Sequence, residues 1–155
     1  MLQNKINIKL YNYKIFSGRH IEYETDGKGK EYNYKGEFEF EGEYLNGERN
    51  GNGKEYDDDD ELKFEGEYYN GKRNGKGKEY DYDGSLKFEG EYLNGEIKGK
   101  GKEYEYGKLI FEGEYLNGKR NGKGKEYNYK GKLIFEGEYL NGKKLEREKH
   151  MIMVI

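Results

Sequence analysis

The chain has 155 residues and carries 29 basic against 32 acidic side chains, with 25 glycines, 18 tyrosines and no cysteine, proline or tryptophan. Without cysteine there is no disulfide framework, no thiolate metal site and no cysteine nucleophile. Charge this evenly balanced also argues against a nucleic-acid partner, which needs a basic footprint.

Leu, Ile, Val and Phe together supply less than a fifth of the residues, so tyrosine and phenylalanine must provide most of the burial. The opening stretch from Met1 to Phe16 holds no apolar run of the kind a secretory signal needs. No segment approaches the roughly 20 apolar residues of a membrane-spanning helix; the terminal Met151–Ile155 is the most apolar. A cytoplasmic protein is the expectation, with association to membranes or the cytoskeleton as an extension of it.

From the N-terminus, Ile6, Ile8 and Leu10 alternate as in a strand and predict an N-terminal cap over residues 1–15. Residues 16–142 then form about six repeats. The central glycine of Glu-Gly-Glu-Tyr recurs at Gly42, Gly66, Gly90, Gly113 and Gly137, at spacings of 24, 24, 23 and 24, with a degenerate copy at Gly18. Five positions later comes Gly47, Gly71, Gly95, Gly118 or Gly142, and each Gly-x-Gly pair, such as Gly75/Gly77, is followed by Lys-Glu-Tyr. Within a repeat, Leu62–Asn70 alternates and places Leu62, Phe64, Gly66 and Tyr68 on one face. Asn70–Gly75 then reads as a turn, in which Asn-Gly supplies the positive φ of tight hairpins; Lys76–Tyr82 is a second strand, and Asp83-Gly84 turns the chain into the next repeat. One repeat is one β-hairpin, and helix is excluded by frequent glycine and the absence of alanine.

A lone hairpin is unstable, but stacked hairpins cover one another. Rings such as Phe64 and Tyr68 are expected over the Gly-x-Gly backbone of neighbouring strands, because glycine within a strand marks close packing. Gly75 and Gly77 fall out of phase with Tyr80 and Tyr82, so a bulge near Lys78-Glu79 is expected to restore the phase. Glu65 and Glu67 on first strands face Lys76 and Lys78 on second strands, a cross-strand ladder worth about 0.2–1 kcal/mol per pair. At the C-terminus, residues 143–155 predict a cap strand, in which Glu146 and Glu148 stand where glycines should be and Met151 and Met153 replace tyrosines. Truncation from a longer protein accounts for the same ends.

Phe-Glu-Gly-Glu-Tyr-Leu-Asn-Gly-Lys-Arg-Asn-Gly-Lys-Gly-Lys-Glu-Tyr, read from Phe111 to Tyr127, resembles the MORN repeat (membrane occupation and recognition nexus). Two departures stand out: most intervals here are 24 residues instead of 23, and Tyr44, Tyr68, Tyr92, Tyr115 and Tyr139 stand where the family usually has tryptophan. The added residue is expected near Lys-Glu-Tyr or the following turn. The resemblance implies an all-β, elongated single-layer antiparallel sheet of consecutive hairpins, used as a scaffold or docking surface. Some members of the family sit at membranes or cytoskeletal structures and some are attached to phosphoinositide kinases, so a fragment of such a larger protein is an alternative.

Catalysis finds little support. Ser17 and His20 lack a fixed acid or a nucleophile elbow, and His150 sits in the cap. Carboxylates recur in every repeat, whereas a catalytic pair is singular. The segment Gly71–Gly77 has three residues between its outer glycines where a P-loop needs four. Asp57–Glu61 reads as a solvated turn without calcium-loop spacing. No cofactor or metal is expected, and the protein reads as a non-enzymatic scaffold for a partner protein. Its candidate docking residues are Tyr69, Tyr80, Tyr82, Tyr104, Tyr106, Tyr127 and Tyr129. The alternative is an anionic, phosphoinositide-containing membrane met by Lys72, Arg73, Lys119, Arg120, Lys143 and Lys144 in the hairpin turns, with Glu48-Arg49 and Glu96-Ile97 as weaker versions. Homodimerisation through edges or faces is a third option.

Overall fold

The structure, a computed structural model, describes residues 11–12, 20–24 and 26–145. The expected terminal cap residues Ile6, Ile8, Leu10, Glu146, Glu148, Met151 and Met153, together with Ser17 and His150, lie outside the described residues. Among the described residues, thirteen strands form one antiparallel sheet in strict chain order. They are β1 (Tyr11–Asn12), β2 (His20–Tyr23), β3 (Lys28–Tyr32), β4 (Phe38–Leu45), β5 (Glu48–Tyr56), β6 (Leu62–Tyr69) and β7 (Lys72–Tyr80). The series continues with β8 (Leu86–Leu93), β9 (Glu96–Glu105), β10 (Lys108–Leu116), β11 (Lys119–Tyr127), β12 (Leu133–Leu140) and β13 (Lys143–Lys144). Each repeat is a hairpin whose tight turn has both central residues in the left-handed region, as at Asn70 (φ 48°) and Gly71 (φ 77°). That turn type matches strand twist and selects Asn-Gly.

Glycines meet glycines across the sheet. From Gly29 on β3 to Gly137 on β12, each strand sets one glycine directly opposite that of the next. Phenylalanine rings close over this row. A Cβ on Gly77 would lie 2.5 Å from the Phe64 ring and 3.1 Å from Tyr92, so only glycine fits. Phe40, Phe64 and Phe111 are fully buried and Phe88 nearly so. Tyr68, Tyr92, Tyr115 and Tyr139 join them in the core, and every contact in the series is edge-to-face. Each tyrosine touches the phenylalanine of its own repeat and that of the repeat before. Tyr92, for example, sits 6.0 Å from Phe88 and 5.3 Å from Phe64. Such pairs add about 0.5–1.5 kcal/mol each beyond area burial, and here they couple one hairpin to the next.

The phase problem has a different solution from the one expected. Tyr80 stays on the face opposite Phe64, where its hydroxyl donates to Glu65 at 2.6 Å. No re-phasing occurs at Lys78-Glu79. One irregularity lies a residue further on, between Glu79 and Tyr80, where β8 carries Lys87 as the extra residue. A second lies in the β6–β7 pairing between Gly66 and Tyr68, with Gly75 at φ 108° on the bulged strand. The added residue of the 24-residue repeats is in the inter-repeat turn: five residues, Asp81–Ser85, join β7 to β8, but Tyr106-Gly107 alone joins β9 to β10. The acid–base ladder is present, with Lys78 Nζ 3.6 Å from Glu65 and Lys102 Nζ 3.5 Å from Glu89.

A Cβ on Gly66 would meet backbone, at 2.7 Å from both the Gly77 Cα and the Lys76 carbonyl oxygen. Backbone cannot step aside as a side-chain tip can, so Gly66→Ala is expected to destabilise the protein by about 1–3 kcal/mol in urea unfolding. Tyr82→Ala, at a 90% exposed position, is expected to stay within about 0.5 kcal/mol of the parent. Equal stability of Gly66→Ala and the parent would remove the steric role assigned to the glycine row.

Candidate functional site

Opposite the ring core, the second face of the sheet is a groove. It encloses about 1360 Å³ and runs from Asn52 on β5 to Glu138 on β12. The glycine row is its floor. Its walls follow from the alternation of Glu-Gly-Glu on first strands with Lys-Gly-Lys on second strands. On one side, from Lys30 on β3 to Glu136 on β12, charge changes sign at every strand. The other side keeps the same order, with Asn52 as its interruption. Tyrosines brace the first wall. Tyr80, Tyr104 and Tyr127 donate their hydroxyls to Glu65, Glu89 and Glu112 at 2.6, 2.7 and 2.7 Å. Partial burial and the accepting carboxylates push the Tyr80 and Tyr104 hydroxyls up to about 12.

A separate polar ladder runs along the ring face. The core tyrosines Tyr44, Tyr68, Tyr92, Tyr115 and Tyr139 donate to Glu31, Glu55, Glu79, Glu103 and Glu126, each the glutamate of Lys-Glu-Tyr one repeat earlier. Arginines bridge successive carboxylates. Arg73 binds Glu55 through Nη2 at 2.5 Å and Glu79 through Nη1 at 2.9 Å, with its guanidinium 3.9 Å above the Phe64 ring. Arg120 does the same for Glu103 and Glu126 above Phe111, and Arg49 lies between Glu31 and Glu55 above Phe40. Burial alone would raise the Glu55 carboxyl, but hydrogen bonds and charge from Arg73, with the Tyr68 hydroxyl, hold it below its ordinary value. Glu103 is held down against burial by Arg120 and Tyr115, and Glu126 by Lys144 and Tyr139. Burial, with the facing glutamate, raises the hydroxyls of Tyr68, Tyr92 and Tyr139 strongly.

The profile of the MORN repeat family matches residues 40–61, 64–86, 88–104 and 111–132, together more than half of the chain. The chain belongs to the MORN repeat family. The third match stops at residue 104, just before the two-residue turn at Tyr106-Gly107. Comparison with curated proteins finds no match.

Within this MORN array the seven candidate docking tyrosines all lie off the buried core, but they fall into three sets. Tyr80, Tyr104 and Tyr127 stand on the groove face, half-buried against its wall. Tyr82, Tyr106 and Tyr129 project from inter-repeat turns along one edge, with the Tyr129 hydroxyl 2.8 Å from Glu105. Tyr69, 59% exposed, precedes an Asn-Gly turn at the opposite edge, in the row of exposed Leu45, Leu93, Leu116 and Leu140. The lipid-contact set also divides. Arg73 and Arg120 are not free at the turns, because each is stacked on a ring and paired with two glutamates. Lys144 binds Glu126 at 2.6 Å. Lys72, Lys119 and Lys143 remain exposed at the turn edge. His20 contacts Glu22 at 3.5 Å and the Tyr32 ring. The arginine–glutamate ladder had a sequence signal, the 24-residue recurrence of Glu31, Glu55, Glu79 and Glu103 against Arg49, Arg73 and Arg120. Reading those arginines as part of a basic turn concealed it.

Both ends of the pH scale should therefore weaken this ladder, each through a different set of groups. For the glutamates, folded values lie below the ordinary 4.5, so their contribution is present above that pH and lost as pH falls through the lowered values. For the tyrosines, folded values lie above the ordinary 10.0, so their contribution is present below that pH and declines as pH rises past it. Urea midpoints are expected to be flat from about pH 6 to 9 and to fall on both sides. A midpoint that stays level down to about pH 3 would show that the carboxylates do not support the fold.

Proposed function

We propose that this MORN array is a non-enzymatic scaffold that docks a segment of a partner protein along its charged face. The groove is the observation that carries this reading. It spans seven strand intervals, roughly 34 Å at about 4.8 Å per strand, which about ten residues of extended chain would fill. Acidic and basic stripes alternate along it with a repeat of about 9.6 Å, so a segment carrying both signs at that spacing would match it in any of several registers one repeat apart. Aromatic area from Tyr80, Tyr104 and Tyr127 lies beside the charges and offers contact at low entropic cost. The reading carries with it a cytoplasmic location and no cofactor.

Membrane contact is the weaker reading. Stable electrostatic attachment needs clusters of about four to eight basic residues. Of the six residues first considered, three are engaged within the protein, and Glu48 and Glu96 interrupt the remaining stripe.

Selection of short peptides from a display library against the immobilised chain tests the proposal. Selected peptides are expected to bind at physiological salt and to weaken at least about tenfold with Lys78→Glu/Lys102→Glu and with Tyr104→Ala/Tyr127→Ala, circular dichroism being unchanged. Peptides that bind both variants as well as the parent would overturn the assignment to this face. Sedimentation with phosphoinositide-containing liposomes at physiological salt, lost on charge reversal at Lys72, Lys119 and Lys143, would transfer the function to the membrane reading.

A further inference from the structure

The ring-face ladder is interrupted once among the described residues. Residues paired with the core tyrosines are Arg49 opposite Tyr44, Arg73 opposite Tyr68, Arg120 opposite Tyr115 and Lys144 opposite Tyr139. Opposite Tyr92 stands Ile97. In each of the other four repeats the cation opposite the tyrosine sits over a phenylalanine ring, at 4.1, 3.9, 4.0 and 4.7 Å for Phe40, Phe64, Phe111 and Phe135. Ile97 packs against the core but is too short to reach the place a guanidinium would take, and it carries no charge.

Two consequences are visible. Phe88 retains 4% exposure, whereas Phe40, Phe64 and Phe111 have none. The two carboxylates flanking the gap are also the most exposed of the ladder: Glu79 and Glu103 are each 28% exposed, against 4%, 20% and 15% for Glu31, Glu55 and Glu126. Glu79 is bridged by Arg73 on one side only, and Glu103 by Arg120 on the other side only. In Glu55 and Glu126 both sides are occupied by cations.

We propose that the break in the cation row at Ile97, a notch between Glu79 and Glu103 at the edge of Phe88, binds an arginine side chain presented by a partner protein. The neighbouring repeats display the ligand chemistry: a planar guanidinium lies on the ring and splits its donors between two carboxylates, which an ammonium cannot do as well. The proposal rests on the docking reading above and adds to it a second contact on the other face of the sheet. A partner seated in the groove and wrapping one edge would bring an arginine to this point, and the notch would set its position along the array, since the other repeats are already filled from within.

The test uses the full chain labelled at isoleucine δ1 methyls and titrated with N-acetyl-arginine methylamide, observed by NMR. The Ile97 methyl is expected to shift with saturation in roughly the millimolar range, as suits one side chain. The neutral citrulline analogue of the same shape is expected to leave it unmoved. Ile97→Arg supplies the guanidinium from within, so it is expected to raise the melting temperature, and shifts in neighbouring Phe88 resonances on adding the probe should disappear. Glu79→Gln/Glu103→Gln keeps the shape and should weaken the probe at least about tenfold. Equal shifts with the citrulline analogue, or probe binding that persists in Ile97→Arg, would overturn the proposal, as would the absence of any Ile97 shift. Lys78→Glu/Lys102→Glu lies on the opposite face and should leave the arginine titration intact. Loss of selected peptides in that variant together with an inert notch would sink this inference and leave the scaffold reading standing.

Discussion

The seating of phenylalanine rings directly on the backbone of a glycine row is the constraint from which the rest of this sheet follows. Phe64 reaches across Gly66 to Gly77, and no Cβ can be placed at either position without driving into the ring or the facing backbone. Rings lying flat along a sheet can bury themselves without a second layer. That permits a one-layer fold with few aliphatic residues, where most β proteins need two packed sheets. On the other face the same glycine backbones lie between the flanking rows of Glu and Lys and form the floor of the groove. Core and candidate docking surface are the two sides of one row of residues.

The coupling between repeats comes from tyrosines that serve two neighbours at once. Tyr92 packs its ring on Phe64 and Phe88 while its hydroxyl reaches Glu79 of the previous repeat. Glu79 in turn is bound by Arg73, which lies on Phe64. Ring stacking, a charge-assisted hydrogen bond and a cation over a ring thus close a cycle spanning two hairpins. Networks of this kind are worth most when every member is satisfied. Around Ile97 the cycle is incomplete, and the same region contains the 23-residue interval and the two-residue turn at Tyr106-Gly107. Among the described residues the ring face of the array therefore repeats closely and departs from its pattern at this one place.

The repeat, the hairpin as its unit, the first strand of each hairpin and the acid–base ladder were all legible in the residues, whereas β7 begins at Lys72, inside the turn expected over Asn70–Gly75. These depend on local alternation and on Asn-Gly turn chemistry, which act over a few positions. The close packing of Phe64 on Gly-x-Gly was legible too, because a glycine in a strand with an aromatic two residues away has few other uses. The arginines were not. Lys72-Arg73 reads as a basic dipeptide in an exposed turn, yet the first residue points to solvent and the second folds onto a ring and two carboxylates.

The difference has a definite physical origin. Alternation along one strand is encoded by the chain itself, so strand order, topology and the shared face of Phe64, Gly66 and Tyr68 were legible in the residues. Which carboxylate a given arginine meets depends on the stagger of strands 18 residues apart, and that stagger is set by the bulges at Gly75 and Lys87. The same stagger decides that Tyr68 belongs to the core while Tyr80 braces the groove wall, although each lies beside glutamate and glycine in the sequence. Sequence alone determined that this protein is a stack of aromatic hairpins. Tertiary structure alone decided which carboxylates each arginine joins on the ring side, because those partners are set by register between strands and not by any residue within one.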